Sequence, residues 1–278
     1  MYTIRDQKAA GIFYNADRNS LEREIDMFFN GKEGPKEVDS MKTVAMILPH
    51  EKYHICGPVY AWGFSRIEKA NYVIIGSNHF DVGSRFAIMK EGLWKTPFGE
   101  VAVSNRVAQK IMDKTRVVDY DVIPHENEHS VEVQIPFLQY RFGNGFSIVP
   151  IVIRNRFEDK DFCSYCKELG KAIADSVKTE KEKWVVIAAS NLSVGTKAQV
   201  NKNDKKIIES LKNLSENKFF KAVHENKSYL SGYGAILTAL SAAKELKAKK
   251  SKLLKYGNSM EVMQDPKSIL GFASIIIQ

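Results

Sequence analysis

The sequence alternates short apolar segments with longer amphipathic ones, and this alternation restricts the fold more than any other feature. Five short segments rich in β-branched residues predict buried strands, at residues 43–48, 72–76, 146–153, 184–189 and 270–277. Between them, apolar residues recur at helical spacing in residues 21–28, 207–214 and 236–243. Strands alternating with helices are typical of a mainly parallel or mixed central sheet covered by helices. We therefore predict a single α/β domain over residues 1–278.

Several helix boundaries can be predicted from local signals. Asn19 followed by Glu22 three residues later indicates the start of the first helix, and Asn30-Gly31 indicates its end. Residues 125–136 (HENEHSVEVQIP) are predicted to open a second helix, and residues 235–246 a third after the turn Ser231-Gly232-Tyr233-Gly234. In such folds ligands bind beyond the carboxyl ends of the strands, so chemistry is expected there.

Composition limits the cellular setting. Every apolar segment is interrupted well before the ~18 residues that a membrane-spanning helix needs, and residues 1–6 (MYTIRD) have the pattern of neither a signal peptide nor a transit peptide. Three cysteines are too few for a disulfide framework. We expect a soluble, cytoplasmic protein with no membrane contact.

The net charge of +8 comes from 41 basic and 33 acidic residues, so both signs are abundant. Lysines concentrate in residues 244–255 (KELKAKKSKLLK), which lack the interleaved aromatic residues and the motif of a nucleic-acid-binding segment. We interpret this run as a solvated helix end and loop, and expect no nucleic-acid partner.

Two histidines follow two of the predicted strands. Residues 43–48 lead into Pro49-His50-Glu51, and residues 72–76 lead into Ser77-Asn78-His79. Two imidazoles at neighbouring strand ends can share an iron, copper or zinc ion. The alternative is that each imidazole closes its loop by a hydrogen bond, and spacing alone does not separate the two.

The segment at residues 125–136 is unusually dense in titratable groups. His125 and His129 are four residues apart and would share one face of a helix, as in the zincin motif. The third ligand of a zincin and the residues that support its ligands are not identifiable, so this interpretation is disfavoured.

Seven segments follow one another along the chain in a recognisable order: GIFY (11–14), PH (49–50), KTPFGEV (95–101), residues 125–136, ASNLS (189–193), SGYG (231–234) and YGNS (256–259). In these segments the sequence resembles the Memo family. The resemblance implies one domain with the fold of class III extradiol dioxygenases, which are non-haem iron enzymes, although it does not imply their activity. It also implies iron or copper binding, a redox role and, for microbial members, a radical-SAM partner.

The resemblance assigns roles residue by residue. The two metal-pocket histidines of the family fall on His50 and His79, and the histidine that faces substrate falls on His129. Where the family usually has Ser-Asp-Leu-Ser-His, this chain has Asn191 in place of the carboxylate and Val194 in place of the histidine. These departures leave open whether the chain is an enzyme.

Other positions near the expected pocket have two interpretations each. Ser231 stands where the family usually has cysteine, and with Gly232 it precedes a helix whose N-terminus could receive an anion or simply let the chain turn. Tyr53 and Asn191 are further candidates for ligand contact. Glu51 either completes a two-histidine, one-carboxylate metal site or pairs with Lys52 or another cation at the surface.

Three functions fit the sequence. The first is a metal-dependent redox protein in which His50 and His79 bind Fe²⁺ or Cu⁺ and His129 polarises a substrate. The second is a metal-free, non-catalytic binding module whose altered pocket holds a small anionic ligand or a peptide. The third is a metallohydrolase with Glu126, Glu128 or Glu132 as the general base, and it ranks last because it needs a complete metal site.

Overall fold

The computed structural model describes residues 3–155, 159–225, 230–263 and 268–278. The strands in these ranges are β1 (Ile4–Arg5), β2 (Ala45–Leu48), β3 (Asn71–Ser77), β4 (Phe86–Ile88), β5 (Leu93–Thr96), β6 (Gly99–Val103), β7 (Asp119–Tyr120), β8 (Ser147–Ile153), β9 (Trp184–Ala189), β10 (Val194–Gly195), β11 (Ser251–Asn258) and β12 (Ile269–Ile277). The helices are α1 (Arg18–Asn30), α2 (Tyr53–Phe64), α3 (Asn105–Lys114), α4 (Ile135–Phe142), α5 (Phe162–Val177), α6 (Lys197–Lys212), α7 (Glu216–Glu225), α8 (Tyr233–Glu245) and α9 (Met260–Met263). None of these helices is long and apolar enough to cross a membrane.

The strands form one mixed sheet. From one edge the order is β1, β5, β6, β8, β3, β9, β2 and β12, and both β10 and β11 pair with β12. The central strands β6, β8, β3, β9 and β2 are parallel to one another. Their other neighbours are antiparallel: β5 to β6, β4 to β8 and β12 to β2. The predicted α/β class with a mainly parallel or mixed sheet is confirmed.

Two apolar layers bury the two faces of the sheet. In β3, Val73 and Ile75 pack into the layer that contains α5 and α8, whereas Tyr72 and Ile74 pack into the layer that contains α1 and α2. Successive side chains of a strand point to opposite faces, so a continuous apolar run fills both layers. This is why the central strands are recognisable from their composition.

All five predicted strands are present, as β2, β3, β8, β9 and β12, with bounds that differ by no more than two residues. The predicted helix start at Asn19 is wrong: Asp17 caps α1, and its carboxylate accepts a hydrogen bond from the backbone N–H of Ser20. The predicted end is confirmed, because the N–H of Gly31 closes the helix on the carbonyl of Met27.

The helix predicted to open at residue 125 is also absent. The segment instead forms two 3₁₀ turns, Ile123–His125 and Glu132–Gln134, and α4 begins only at Ile135. The physical reason is that polar side chains in the segment bind backbone groups: the Glu128 carboxylate accepts the N–H of Ser130 at 2.8 Å, for example. Such local bonds compete with a helix.

The lysine-rich run has more structure than predicted. Residues 244–255 cover the end of α8, a short turn and the first half of β11. The prediction of a solvated helix end and loop is therefore wrong for residues 251–255, which belong to a strand. A strand with exposed lysines carries no apolar signature and is difficult to recognise in a sequence.

Helices α5 and α8 pack closely on one face of the sheet. Gly170 makes this approach possible, because a Cβ at that position would lie 2.5 Å from the carbonyl oxygen of Thr238 and 2.6 Å from the Cβ of Ser241. Helix α8 begins directly after Ser231 and Gly232. The α5–α8 contact therefore positions the turn that leads into α8.

We expect Gly170→Ala to lower the free energy of unfolding by about 1–3 kcal/mol, because the added methyl group must push α8 away from α5. Urea denaturation measures this change. Gly257→Ala is the matched control, since its Cβ would meet Val59 at an ordinary 3.5 Å. Equal stability of the two variants would contradict this account of the helix contact.

Candidate metal centre

The parallel pairing of β2, β9 and β3 brings three loops to one end of the sheet. His50 lies two residues beyond β2, His79 two residues beyond β3, and Asn191 two residues beyond β9. The Asn191 side-chain oxygen accepts the backbone N–H of His50 at 3.1 Å. His50 and His79 therefore come together at one end of the sheet as predicted, but their strands are not neighbours, because β9 lies between β2 and β3.

His129 joins these two histidines from the loop between the 3₁₀ turns. The three residues offer nitrogen atoms that all lie within 4.8 Å of one another, a grouping that could hold a metal ion. The rings of His50 and His79 are 5.0 Å apart and nearly perpendicular, at 75°. His50 and His129 are similarly disposed, at 5.6 Å and 77°.

Glu128 fixes the position of His79 within the three-histidine group. Its carboxylate is fully buried and accepts three kinds of hydrogen bond: from the Nδ1 of His79 at 2.9 Å, from the backbone N–H of His79 at 2.9 Å and from the N–H of Ser130 at 2.8 Å. A ring nitrogen that donates to a carboxylate fixes the tautomer of the histidine. The Nε2 of His79 therefore carries the free lone pair.

The charge state of the group follows from burial. Burial, reinforced by the neighbouring His79 and His129, holds the pKa of His50 well below its usual value. Burial also lowers the pKa of His129 to about 4, against the opposing effect of the Glu128 carboxylate. Burial alone would raise the pKa of Glu128, but the hydrogen bonds and charges of His79 and His129 outweigh it and hold that pKa well below its usual value. At neutral pH, His50 and His129 are therefore neutral donors beside a carboxylate.

The three histidines could hold a metal ion once their nitrogen atoms move closer together. Tetrahedral ligands at metal–nitrogen distances of 2.0–2.1 Å stand about 3.4 Å apart, so nitrogen atoms separated by as much as 4.8 Å must move closer. The ring of His129 is stacked on that of His79, at 4.7 Å and 20°, and on that of Phe13, at 4.0 Å and 18°. A metal lies in the plane of each imidazole that binds it, so the perpendicular rings of His50 and His79 are better oriented to share an ion.

The turn before α8 closes the other side of the group. The Ser231 hydroxyl lies 2.9 Å from the Nε2 of His50. The side chains of Ser77 and Asn155 both donate to the Ser231 carbonyl, and Asn155 also accepts the N–H of Gly234. A Cβ on Gly232 would collide with Ser190 and the Ala189 carbonyl. Gly232 therefore allows the start of α8 to approach the end of β9.

Two candidates from the sequence lie outside the three-histidine group. The Glu51 carboxylate accepts the backbone N–H of its neighbour Lys52 at 2.9 Å. Tyr53 is fully buried in an aromatic cluster with Tyr60 and Phe137, and its hydroxyl donates to the Val133 carbonyl at 2.6 Å. The Tyr53 hydroxyl thus faces the core, where it already has a partner.

The other titratable residues of the dense segment have separate positions. His125 is buried against Trp94, with ring centroids 6.1 Å apart. It does not share a helix face with His129, so the zincin arrangement is absent. Glu132 forms a buried ion pair with Arg5 and also accepts from the Tyr14 hydroxyl, whereas Glu126 is exposed.

Arg5 anchors this segment to the N-terminal strand. Besides its ion pair with Glu132, its guanidinium donates to the carbonyls of His125 and Glu128, at 3.0 and 2.6 Å. It also lies over the ring of Trp94, 4.3 Å from the centroid. The single cation Arg5 therefore fixes the loop that carries His129, through two backbone carbonyls and the Glu132 carboxylate.

Comparison with known sequences decides the family. The sequence profile of the family described as Memo-like protein matches residues 5–276. This chain belongs to the Memo family. It is 38% identical over 277 residues to a "MEMO1 family protein" of Methanococcoides burtonii, covering 99% of this chain and all of that protein. Proteins of the same description from Caldivirga maquilingensis and Sulfolobus acidocaldarius are each 34% identical, and each alignment covers 98% of both chains.

The structure of this Memo-family chain adds residues that the sequence did not single out. Phe13 stacks on His129, and Asn155 and Ser77 hold the turn at Ser231. Asn155 follows β8 just as His79 follows β3, so its position beyond a parallel strand was the available signal. Phe13 lies in the GIFY segment that carries the family resemblance, but no strand or helix pattern indicated that it contacts His129, because it reaches that residue from an irregular N-terminal segment.

Protonation of His129 should make the fold sensitive to acid. Its pKa is about 4 in the folded protein and about 6.5 in an unfolded chain. As the pH falls from 6.5 to 4, the unfolded chain binds a proton that the folded protein does not, so the free energy of unfolding decreases. We expect His129→Asn to reduce this loss by about 1–3 kcal/mol.

Urea denaturation of metal-free protein, at intervals between pH 8 and pH 4, measures both profiles. The two proteins should differ in slope below pH 6.5 and run in parallel above pH 7. Parallel profiles over the whole range would show that His129 does not titrate in this way.

Proposed function

We propose that this Memo-family protein binds a redox-active metal ion, Fe²⁺ or Cu⁺, through His50 and His79, with His129 facing a bound substrate. The observation that carries the proposal is the convergence of three imidazole nitrogen atoms within 4.8 Å. Neutral imidazoles are ligands that iron and copper accept. A histidine that binds a metal through one ring nitrogen usually donates the other N–H to a carboxylate, and Glu128 accepts such a bond from the Nδ1 of His79.

Each residue of the group has a distinct task in this proposal. His50 and His79 hold the ion, and the Ser231 hydroxyl beside His50 offers an oxygen to it. Fe²⁺ or Cu⁺ bound there would supply Lewis-acid and one-electron redox chemistry. His129, which is neutral at pH 7, would donate a hydrogen bond to an oxygen of the substrate or accept one. Phe13 covers the face of the His129 ring and keeps water from that side.

We expect untagged protein to bind Fe²⁺ under anaerobic conditions, or Cu⁺, at micromolar concentration or tighter. Replacement of both His50 and His79 by alanine should abolish that binding, because two of the three converging nitrogen donors are lost. Equilibrium dialysis followed by elemental analysis measures the bound metal. Removal of the metal by a chelator should also lower the melting temperature, because binding stabilises the folded state.

His54→Ala is the matched control, since His54 is exposed at the start of α2 and lies outside the three-histidine group. This variant should bind metal like the wild-type protein. Equal metal binding by wild-type protein and the double variant would rule out the proposed site. Exclusive binding of Zn²⁺ would retain the site and reject the redox role.

Glu128 provides an independent test of the same site. Glu128→Ala should weaken metal binding about 10- to 100-fold, because His79 loses the partner that orients its ring. Glu128→Gln retains one acceptor oxygen and should lie between the wild-type protein and the alanine variant. The measurement is competition against a chelator of known affinity. Unchanged affinity in both variants would contradict a positioning role for Glu128.

A second candidate function is a metal-free binding module for a small anion or a peptide. The contact between Ser231 and His50 favours it, since it satisfies Nε2 of His50 without any metal, and the turn at Gly232 starts a helix. Such a ligand should raise the melting temperature in the presence of a chelator, and the effect should disappear in His129→Ala and Ser231→Ala. A protective ligand that requires metal would instead support the first function.

We also propose a cytoplasmic location, because Cys56, Cys163 and Cys166 are all free thiols and free thiols are typical of reducing compartments. The radical-SAM partner implied by the family resemblance stays a prediction.

A further inference from the structure

The sheet ends in a long strand that has no further neighbour. Strand β11 comprises eight residues, Ser251–Asn258, and among the described strands it pairs only with β12. The opposite edge of the sheet is the two-residue strand β1. An open edge presents a row of backbone N–H and C=O groups that can pair with another extended chain. The outer edge of β11 is therefore the longest such edge in the described part of the protein.

A groove lies beside this strand, between β11 and α6. It has a volume of about 360 Å³, and its lining includes Ile208, Leu253 and Tyr256 together with Lys205 and the ion pair between Lys212 and Glu209. Leu253 is 37% exposed, which is unusual for a leucine in a strand. The groove thus combines apolar side chains with basic ones at the open edge.

Lysines also lie on the other face of β11. The Ser251 hydroxyl donates to the carbonyl of Leu211 in α6, so Ser251 lies on the α6 face. Side chains alternate along a strand, and exposed Lys252 therefore points to the opposite face. A β-bulge between Leu253 and Lys255 shifts the alternation by one residue. Lys255 therefore lies on the same face as Lys252, where it contacts Glu33 at 2.6 Å.

We propose that β11 is a docking edge for an extended, acidic segment of a partner protein, which adds to the sheet as a further strand. Backbone hydrogen bonds along β11 would provide the affinity. Alternate side chains of the segment would select the partner. Apolar side chains would enter the groove at Leu253, and carboxylates on the opposite face of the segment would meet Lys252.

The charge and the open backbone of β11 favour an acidic peptide over two other possible occupants, a second copy of the chain and a nucleic acid. A second copy of the chain would bring the lysines of one β11 against those of its partner, which like-charge repulsion disfavours. A nucleic acid would satisfy the lysines but would leave the backbone edge unpaired. An acidic peptide satisfies the backbone, the groove and the lysines together.

The test uses a fluorescent heptapeptide of alternating glutamate and leucine, with blocked termini, and the full-length protein. We expect saturable binding by anisotropy that weakens as salt is added, since exposed charges are screened. In ¹⁵N-resolved spectra, the perturbed amides should be confined to β11 and α6. The same peptide N-methylated at alternate amides keeps its charge and side chains but should bind about tenfold more weakly, because it cannot form the strand hydrogen bonds.

Variants test the side-chain part of the proposal. Lys252→Glu should weaken binding about fivefold, because it replaces the cation that meets the peptide's carboxylates with a like charge. Lys95→Glu is the matched control, because Lys95 is an exposed strand lysine near the opposite edge of the sheet, and it should have no effect.

Four results would each overturn the proposal. They are no peptide binding at about 1 mM, equal binding of the N-methylated peptide, self-association through β11 in sedimentation, and displacement of the peptide by a single-stranded oligonucleotide at lower concentration.

Discussion

The parallel pairing of β8, β3, β9 and β2 is the constraint on which the rest of the structure depends. Parallel strands release their carboxyl ends on one side of a sheet, so four separate loops must meet there. His79, His50 and Asn191 arrive from three of these strands and Asn155 from the fourth. No contact between histidines is needed to bring them together, because the apolar strands, buried on both faces, already fix their starting points. The packing of the core strands thus determines where the pocket forms.

Two buried carboxylates, Glu128 and Glu132, then fix the conformation of the loop that completes the pocket. Glu132 is neutralised by Arg5 and attaches the segment to the N-terminal strand, whereas Glu128 turns inward to His79 and Ser130. A buried ion pair is weak evidence for stability, since the desolvation of both charges offsets much of their attraction. Its value here is geometric: Arg5 also donates to the carbonyls of His125 and Glu128. The loop that carries His129 is thereby held in one conformation, which a site with defined ring orientations requires.

Sequence patterns predicted the elements that consist of runs of similar residues. Continuous β-branched runs revealed β2, β3, β8, β9 and β12, and the residues after two of them gave His50 and His79. Patterns failed where individual side chains override local propensity: Glu128 and Glu132 bind backbone groups and prevent the helix expected at residue 125. Strand β11 was missed because lysines interrupt its apolar residues, so that neither a continuous apolar run nor a regular alternation marks it. The stacking of Phe13 on His129 joins two irregular segments, and no periodicity encodes such a contact.

The charges in the pocket suit one of the two candidate functions better than the other. Burial keeps His50 and His129 neutral at pH 7, while Glu128 stays ionised because hydrogen bonds to His79 and Ser130 stabilise its charge. The centre of the pocket is therefore a set of nitrogen lone pairs beside one negative charge. An anion that enters such a site meets repulsion from Glu128 at close range, where the interior screens charge poorly. A cation meets donors and a compensating charge. An anionic ligand would be better accommodated with a metal ion present, so the charges of the pocket favour the proposed metal-binding function over the metal-free alternative.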